Sequence, residues 1–237
     1  TDIDIDQEGN RFMVGRFVNA TQVKGTHIES KGREDIVVAK YNTSGELEWM
    51  YTAGGKKNDR ATANDVDSYG MVVTGFITDT AYFGQQQLIA GKSDPFLVRS
   101  TQIGELLWVN TINGSDQAKG HDVITGQNGN VIVTGYFKGT AQFGPEVSLK
   151  SHSPRQSDCF VARYNLKGEL VWARNIGRNT QGMALQIDGE GFIYLGGLCK
   201  SKVQFEMADG TEKKYQSPNA HRTAANDAFL VKLDQEG

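Results

Sequence analysis

The chain is poor in the residues that usually announce chemistry. Its 237 residues include two cysteines, Cys159 and Cys199, too few for a disulfide framework and without the Cys-x-x-Cys spacing of a redox or zinc motif. The pair fits either one disulfide or two buried thiols, since free cysteine is commonly buried like a small hydrophobe. Four histidines, His27, His121, His152 and His221, show no metal-ligand spacing. Gly-x-Ser-x-Gly and phosphate-loop patterns are missing, so no cofactor is implied. A carboxylate pair assembled from distant loops stays open as a catalytic arrangement.

Long hydrophobic runs are missing too. No apolar stretch approaches the roughly 20 residues that a bilayer-spanning helix needs, so no transmembrane segment is expected. A formal net charge of −3, with no block of lysine and arginine, gives no reason to expect nucleic acid as a partner. Proline is scarce at 4 residues while glycine reaches 28, a turn-rich globular composition.

What is present is repetition. MVVTGFITDTAYFG at 71–84 returns as VIVTGYFKGTAQFG at 131–144, with related stretches RFMVGRFVNATQV at 11–23 and FIYLGGLCKSKVQF at 192–205. The glycines Gly15, Gly75, Gly135 and Gly196 are read as equivalent anchors, 60, 60 and 61 residues apart. Each is followed by a second motif, DIVVAKY, DPFLVRS, DCFVARY or DAFLVKL, beginning at Asp35, Asp94, Asp158 and Asp227. A third, GELEW, GELLW and GELVW, occurs three times and carries Trp49, Trp108 and Trp172.

Each repeat therefore holds four short stretches rich in β-branched and aromatic residues, separated by Gly, Asn, Asp and Ser, and no helical period competes. The expected fold is all-β. A four-stranded sheet of this kind cannot bury both faces alone, and about 60 residues per unit favour radial stacking over a solenoid. The reading is a β-propeller of about four four-stranded antiparallel blades, at 1–54, 55–114, 115–177 and 178–237. The tryptophans and the aromatics Phe17, Phe76 and Tyr136 are expected to pack between blades. The strand glycines are expected to mark a bulge or a close backbone approach.

The combination Gly-Asn-x-x-Val-x-Gly-Tyr/Phe, Ser/Asn-Asp-x-Phe-Val-x-Lys/Arg-Tyr and Gly-Glu-Leu-x-Trp resembles the bacterial SBBP-type β-propeller repeats over nearly the whole chain. The resemblance implies an exported or cell-surface protein, extracellular or on the periplasmic side of the outer membrane, without assigned catalytic residues. The distance from the strand aspartate to the following GELxW glycine is ten residues in each full copy, and Asp227 plus ten is Gly237. The expectation is that these blades are part of a larger propeller, the alternative being a four-bladed ring with an unfinished edge. Thr1 is read as a processed end or the edge of a fragment.

In an antiparallel blade the short, regular turns lie on one face and the variable connections on the other. The turns hold acids such as Asp6, Glu8, Glu46, Glu105 and Glu169; the variable loops hold bases, among them Lys31 and Arg33. The candidate partner face comprises Lys56, Lys57, Arg60, Arg155, Arg174, Arg178, Lys213, Lys214 and Arg222. Asp2, Asp65 and Asp122 align on the first strand of successive repeats. They are weak metal candidates, or else acceptors for neighbouring backbone N–H groups. DIDIDQEG lacks the glycine of a calcium loop. The expected function is non-enzymatic: a protein-interaction module docked to an envelope or secretion assembly. The alternative is binding or processing of an anionic polysaccharide, with Tyr51 and Tyr215 available to stack on sugars.

Overall fold

In the computed structural model, residues 1–206, 211–216 and 227–237 are described. They form a β-rich, repeated fold in which every unit starts with the same meander. In unit 1, β1 (Asp2–Ile5), β2 (Arg11–Phe17), β5 (Asp35–Tyr41) and β6 (Leu47–Gly55) pair antiparallel in that order; β3 (Ala20–Val23) and β4 (Thr26–Glu29) form a separate hairpin between β2 and β5. Unit 2 repeats the plan with β7 (Arg60–Asp67), β8 (Gly70–Ile77), the hairpin β9 (Thr80–Phe83) and β10 (Gln86–Ile89), then β11 (Asp94–Ser100) and β12 (Leu106–Thr111). After the short β13 (Asn113–Gly114), unit 3 has β14 (Ala118–Thr125), β15 (Val131–Phe137), the hairpin β16 (Thr140–Gly144) and β17 (Val147–Lys150), and β18 (Asp158–Tyr164). β19 (Leu170–Ile187) is the outer strand of unit 3 and continues as the inner strand of unit 4, pairing with β20 (Ile193–Glu206), which pairs in turn with β21 (Glu212–Gln216) and β22 (Asp227–Leu233).

The hairpins are what the sequence reading did not separate. The TAYFG and TAQFG ends of the repeat do not prolong the second strand; each forms a hairpin that hydrogen-bonds to the outer strand of the preceding unit. Ala53, Gly54 and Gly55 pair with Phe83, Tyr82 and Ala81, Asn113 and Gly114 with Gln142 and Ala141, and Arg178 with Gln204. The connection between the second and third strands is therefore a clasp on the neighbouring sheet rather than a plain loop.

Three apolar clusters lie between successive units. Phe12, Val14, Ile36 and Val38 of unit 1 meet Met71, Val73, Phe96 and Val98 of unit 2. Val72 and Leu97 turn to the opposite side and meet Val131, Val133 and Phe160 of unit 3. Ile132, Cys159 and Val161 meet Leu185, Ile193 and Leu195 of unit 4. Neighbouring residues of one strand point to opposite faces, so a strand buried on both faces must read as a continuous apolar run, as VIVTGYF does.

The strand glycines mark a bulge in three of the four units. A Cβ on Gly75 would stand 1.9 Å from the carbonyl oxygen of Arg60, and one on Gly135 1.9 Å from that of Lys119. The inner strand shifts register opposite each, between Ala61 and Ala63 and between Gly120 and Asp122. In unit 4 the equivalent residue is Gly197, not Gly196. Gly197 pairs with Phe229 as Gly135 pairs with Phe160, and its Cβ would meet the Gln181 carbonyl at 2.4 Å, whereas Gly196 has nothing nearer than 4.0 Å.

Each outer-strand tryptophan seats on the next unit. Trp49 donates Nε1–H to the Gln102 carbonyl (3.0 Å), Trp108 to Leu166 (2.9 Å) and Trp172 to Gln235 (2.9 Å). In each case the indole covers a turn glycine two residues further on, Gly104, Gly168 or Gly237, where a Cβ would approach the ring to 2.8, 2.7 or 3.0 Å. Arg99 reinforces one junction. Fully buried, it donates to Asp67 Oδ1 (2.5 Å) and to the Gly129 carbonyl of unit 3 (3.1 Å).

Gly45 and Gly104 share a left-handed φ, +79° and +84°, but nothing lies within 4 Å of a Cβ at Gly45. Alanine at either position carries a similar backbone penalty, on the order of 1 kcal/mol; at Gly104 it also displaces the indole. Chemical denaturation of the two variants should show Gly104→Ala less stable than Gly45→Ala by about 1–2 kcal/mol.

Candidate interaction face

The inner strands carry the metal candidates Asp2, Asp65 and Asp122. In units 2 to 4 the inner strand has backbone N–H groups that no strand covers, and aspartates of the preceding unit accept them. Asn64 N–H donates to Asp2 Oδ2 (3.0 Å), Val66 N–H to Asp4 Oδ2 (2.8 Å), Thr125 N–H to Asp65 Oδ2 (2.6 Å) and Leu185 N–H to Asp122 Oδ2 (2.6 Å). Strand register divides these carboxylates into two rows. Asp2 and Asp122 face Val14 and Thr134, with Ala63 and Ala184 at the same register; Asp65 faces Val72 and matches Asp4. The three aligned aspartates thus do not form one ring: Ala63 holds the register of Asp2 and Asp122, and Asp65 lies two residues beyond it. Among the described residues no group of three or more His, Cys, Asp or Glu is placed to hold a metal ion.

Burial pushes the Asp65 carboxyl up to about 6, against the hydrogen bonds from Thr125 that favour its ionised form, and the neighbouring Asp4 adds to the rise. Burial likewise raises Asp122, and the Asp2 carboxylate, two units away, adds to it.

On the opposite side of the strands from the regular turns, a buried aspartate at the start of the third strand in units 1 to 3 folds the connection back over the sheet. Asp35 accepts the Lys31 N–H (2.8 Å), Asp94 those of Gly91 (2.8 Å) and Gly114 (3.0 Å), and Asp158 those of His152 (2.7 Å) and Asn179 (3.0 Å). Asp59 does the same between units 1 and 2, accepting the N–H of Gly55 (2.7 Å) and Thr78 (2.9 Å); burial raises it to about 6, with Asp35 and Asp79 adding to the shift.

This ordering brings two basic loops into backbone contact. Arg33 N–H donates to the Lys57 carbonyl (3.4 Å), and a Cβ on Gly32 would stand 2.5 Å from that same oxygen, so only glycine fits. Lys31, Arg33, Lys56 and Lys57 are all exposed, and none lies within ion-pair distance of a carboxylate among the described residues. The Lys31 ammonium stands 5.5 Å from the ring centre of Tyr82, an exposed aromatic on the clasp of unit 2. Sequence reasoning missed Tyr82; the TAYFG motif placed it in a repeat but gave no sign that the hairpin reaches back to unit 1.

The other basic candidates scatter. Arg60 is held with Arg16 by Glu34 and lies over Phe76. Arg155 and Arg178 are exposed at the junction of units 3 and 4. Lys213 and Lys214 are exposed on β21, and Arg222 lies outside the described residues. Arg174 belongs to the other face: it covers Trp172 and donates to the carbonyls of Glu236 (3.2 Å) and Gly237 (3.3 Å) in a regular turn, because as a residue of the outer strand it follows the tryptophan to the next unit. Tyr51 stacks on Trp49 with its hydroxyl buried, so it cannot serve a sugar. Tyr215 is exposed. Both cysteines are free and buried, and burial pushes the Cys159 thiol up to about 12. Among the described residues no helix is long and apolar enough to cross a membrane.

A carboxyl whose pKa is higher in the folded than in the unfolded chain favours folding most below its unfolded value, near 3.8 for Asp65, and that contribution is lost as pH rises through about 6. Asn at position 65 removes the titration while keeping an acceptor for Thr125. Urea denaturation between pH 4 and pH 7 should show the native chain losing stability with rising pH, and Asp65→Asn losing about 1–3 kcal/mol less over the same interval.

No protein-family model matches the chain. Two relatives are similar to parts of it. The regulatory protein FlaEY of Caulobacter vibrioides is 31% identical over 118 residues, 48% of this chain and 12% of that protein. An uncharacterized WD repeat-containing protein of Acanthamoeba polyphaga mimivirus is 28% identical over 170 residues, 64% of this chain and 12% of that protein. The chain thus spans about an eighth of the length of either.

Proposed function

We propose that the chain is a run of four propeller blades, bounded at 1–54, 55–114, 115–177 and 178–237 and belonging to a larger propeller, that acts as a non-enzymatic protein-interaction module. The four-strand meander, the packing of each unit's inner strand on the next, and the effect of Asp2 on Asp122 two units away all support inner strands converging on one axis. The similarity to a WD repeat-containing protein points the same way, because WD repeats build propeller blades. The buried carboxyls of Asp59 and Asp65, both raised to about 6, accept backbone N–H groups, an arrangement that supports contact rather than catalysis; a relative named as a regulatory protein agrees with action through contact. On the SBBP-type reading, the place of action is the bacterial cell surface or envelope, with an envelope or secretion assembly supplying the partner.

The observation that carries the docking face is the contact between the 31–33 and 56–57 loops, which gathers four exposed cations, none of them in an ion pair among the described residues. Four positive charges within a few residues of one another favour an acidic partner surface, and at that exposure the attraction is screened by salt over about 8–10 Å. Tyr82 beside Lys31 favours a second reading, an anionic polysaccharide whose sugar rings lie on the aromatic.

Titration with poly-glutamate as the acidic polypeptide and dextran sulfate as the anionic glycan separates the two. On the protein-partner reading, poly-glutamate binds and raising salt weakens it; Lys56→Glu with Lys57→Glu lowers the affinity at least tenfold, while Arg174→Glu on the opposite face changes it less than twofold. Binding of dextran sulfate alone, lost in the same double variant, would move the assignment to the glycan. Binding of neither would remove this face from consideration.

A further inference from the structure

The first unit has an uncovered copy of a contact that every later junction makes. Strand register equates Met13 with Val73, Val133 and Leu195, and Ile3 with Asn64, Val123 and Leu185. In units 2 to 4 these positions face the preceding unit, and exposure is at most 1% in the first set and 8% in the second; Met13 is 38% exposed and Ile3 54%. Ile5, on the same side of β1, is exposed as well. The unit keeps the residue types of a buried junction face, with no unit there to bury them.

The turn beside that face is the same socket that holds a tryptophan in the three later units. Gly45 has the left-handed φ of Gly104, Gly168 and Gly237, but no indole lies on it. Thr43, two residues before it, corresponds to Gln102, Leu166 and Gln235, whose carbonyls accept the indole N–H. Its oxygen now receives Arg11 (3.0 Å), which does not block the site, since the Gln235 carbonyl accepts from Arg163 (2.7 Å) and Trp172 (2.9 Å) together. Arg11, Met13, Tyr41, Thr43, Ser44 and Gly45 line a shallow recess of about 280 Å³ over the turn.

We infer that this face and socket dock a further unit of the same repeat, carried on the same polypeptide and presenting an outer-strand tryptophan to Gly45. A second copy of the 237 residues does not supply that group. The chain has three tryptophans, and Trp49, Trp108 and Trp172 are already seated on Gly104, Gly168 and Gly237. Both relatives extend far beyond the matched region, which is 12% of each, so chains of this kind have length for more units. The inference rests on the larger-propeller reading and concerns a face distinct from the cationic loops.

The test compares the intact protein from its source with the isolated 237-residue chain. Hydroxyl-radical footprinting with mass spectrometry follows Met13, with buried Met71 as the protected reference; the denatured mass counts the repeats. In the isolated chain Met13 oxidises as an exposed methionine at every concentration. In an intact protein of higher mass, its oxidation falls at least tenfold, and Gly45→Ala becomes as destabilising as Gly104→Ala. A higher mass with Met13 equally reactive overturns the docking while leaving the larger propeller standing. An intact mass equal to that of this chain overturns both. Protection that appears in the isolated chain on concentration, together with a dimeric sedimentation coefficient, assigns the face to a second copy and overturns the inference as well.

Discussion

A four-stranded sheet with apolar residues on both faces has to be covered twice, and no single repeat of this chain brings enough material to do that for itself. Val72 and Val73 are adjacent in sequence and belong to different cores, one shared with unit 3 and the other with unit 1. Burying a side chain of this size contributes about 1.5–3 kcal/mol, and here each such contribution exists only when the neighbouring unit is folded. Stability is therefore a property of junctions more than of units. The polar contacts follow the same rule: the indole N–H groups, the Arg99 guanidinium and the inner-strand aspartates all find partners one unit onward.

That shared constraint explains which parts of the fold could be read from sequence. Strands buried on both faces leave long β-branched runs, and a junction used three times leaves three copies of GELxW, so the all-β repeat was legible. The clasp was not. A hairpin that pairs with another unit has the composition of a strand end plus a loop, and nothing local in TAYFG names its distant partner. Register was misread for a related reason: a shared dipeptide does not fix a strand's pairing. Asp-Val occurs at 65–66 and at 122–123, yet Asp65 pairs with Val72 and Asp122 with Thr134, two positions apart along the strand, and in the GlyGly pair of unit 4 the pairing with Phe229 selects the second glycine over the first.

The candidate face was legible only as an inventory of basic residues. That Lys56 and Lys57 share a surface with Lys31 and Arg33 depends on a backbone contact between loops more than twenty residues apart, made possible by the absent side chain of Gly32. That Arg174 belongs to the other face depends on how far along the outer strand it lies. Charge can be counted in a sequence, but its partners are set by tertiary contacts. Glu34 illustrates the point, since it pairs with Arg16 and Arg60 and with none of the four loop cations.

The clasps also give the array a direction. In units 2 to 4 each hairpin belongs to one unit and holds the end of the outer strand of the unit before it, so a nick or an insertion in the β9–β10 hairpin frees β6 rather than any strand of its own sheet. Injury to this chain is thus felt upstream of where it occurs. A segment that looks dispensable in its own repeat guards the exposed edge of its predecessor, and with it the backbone that an unguarded strand would offer to another chain.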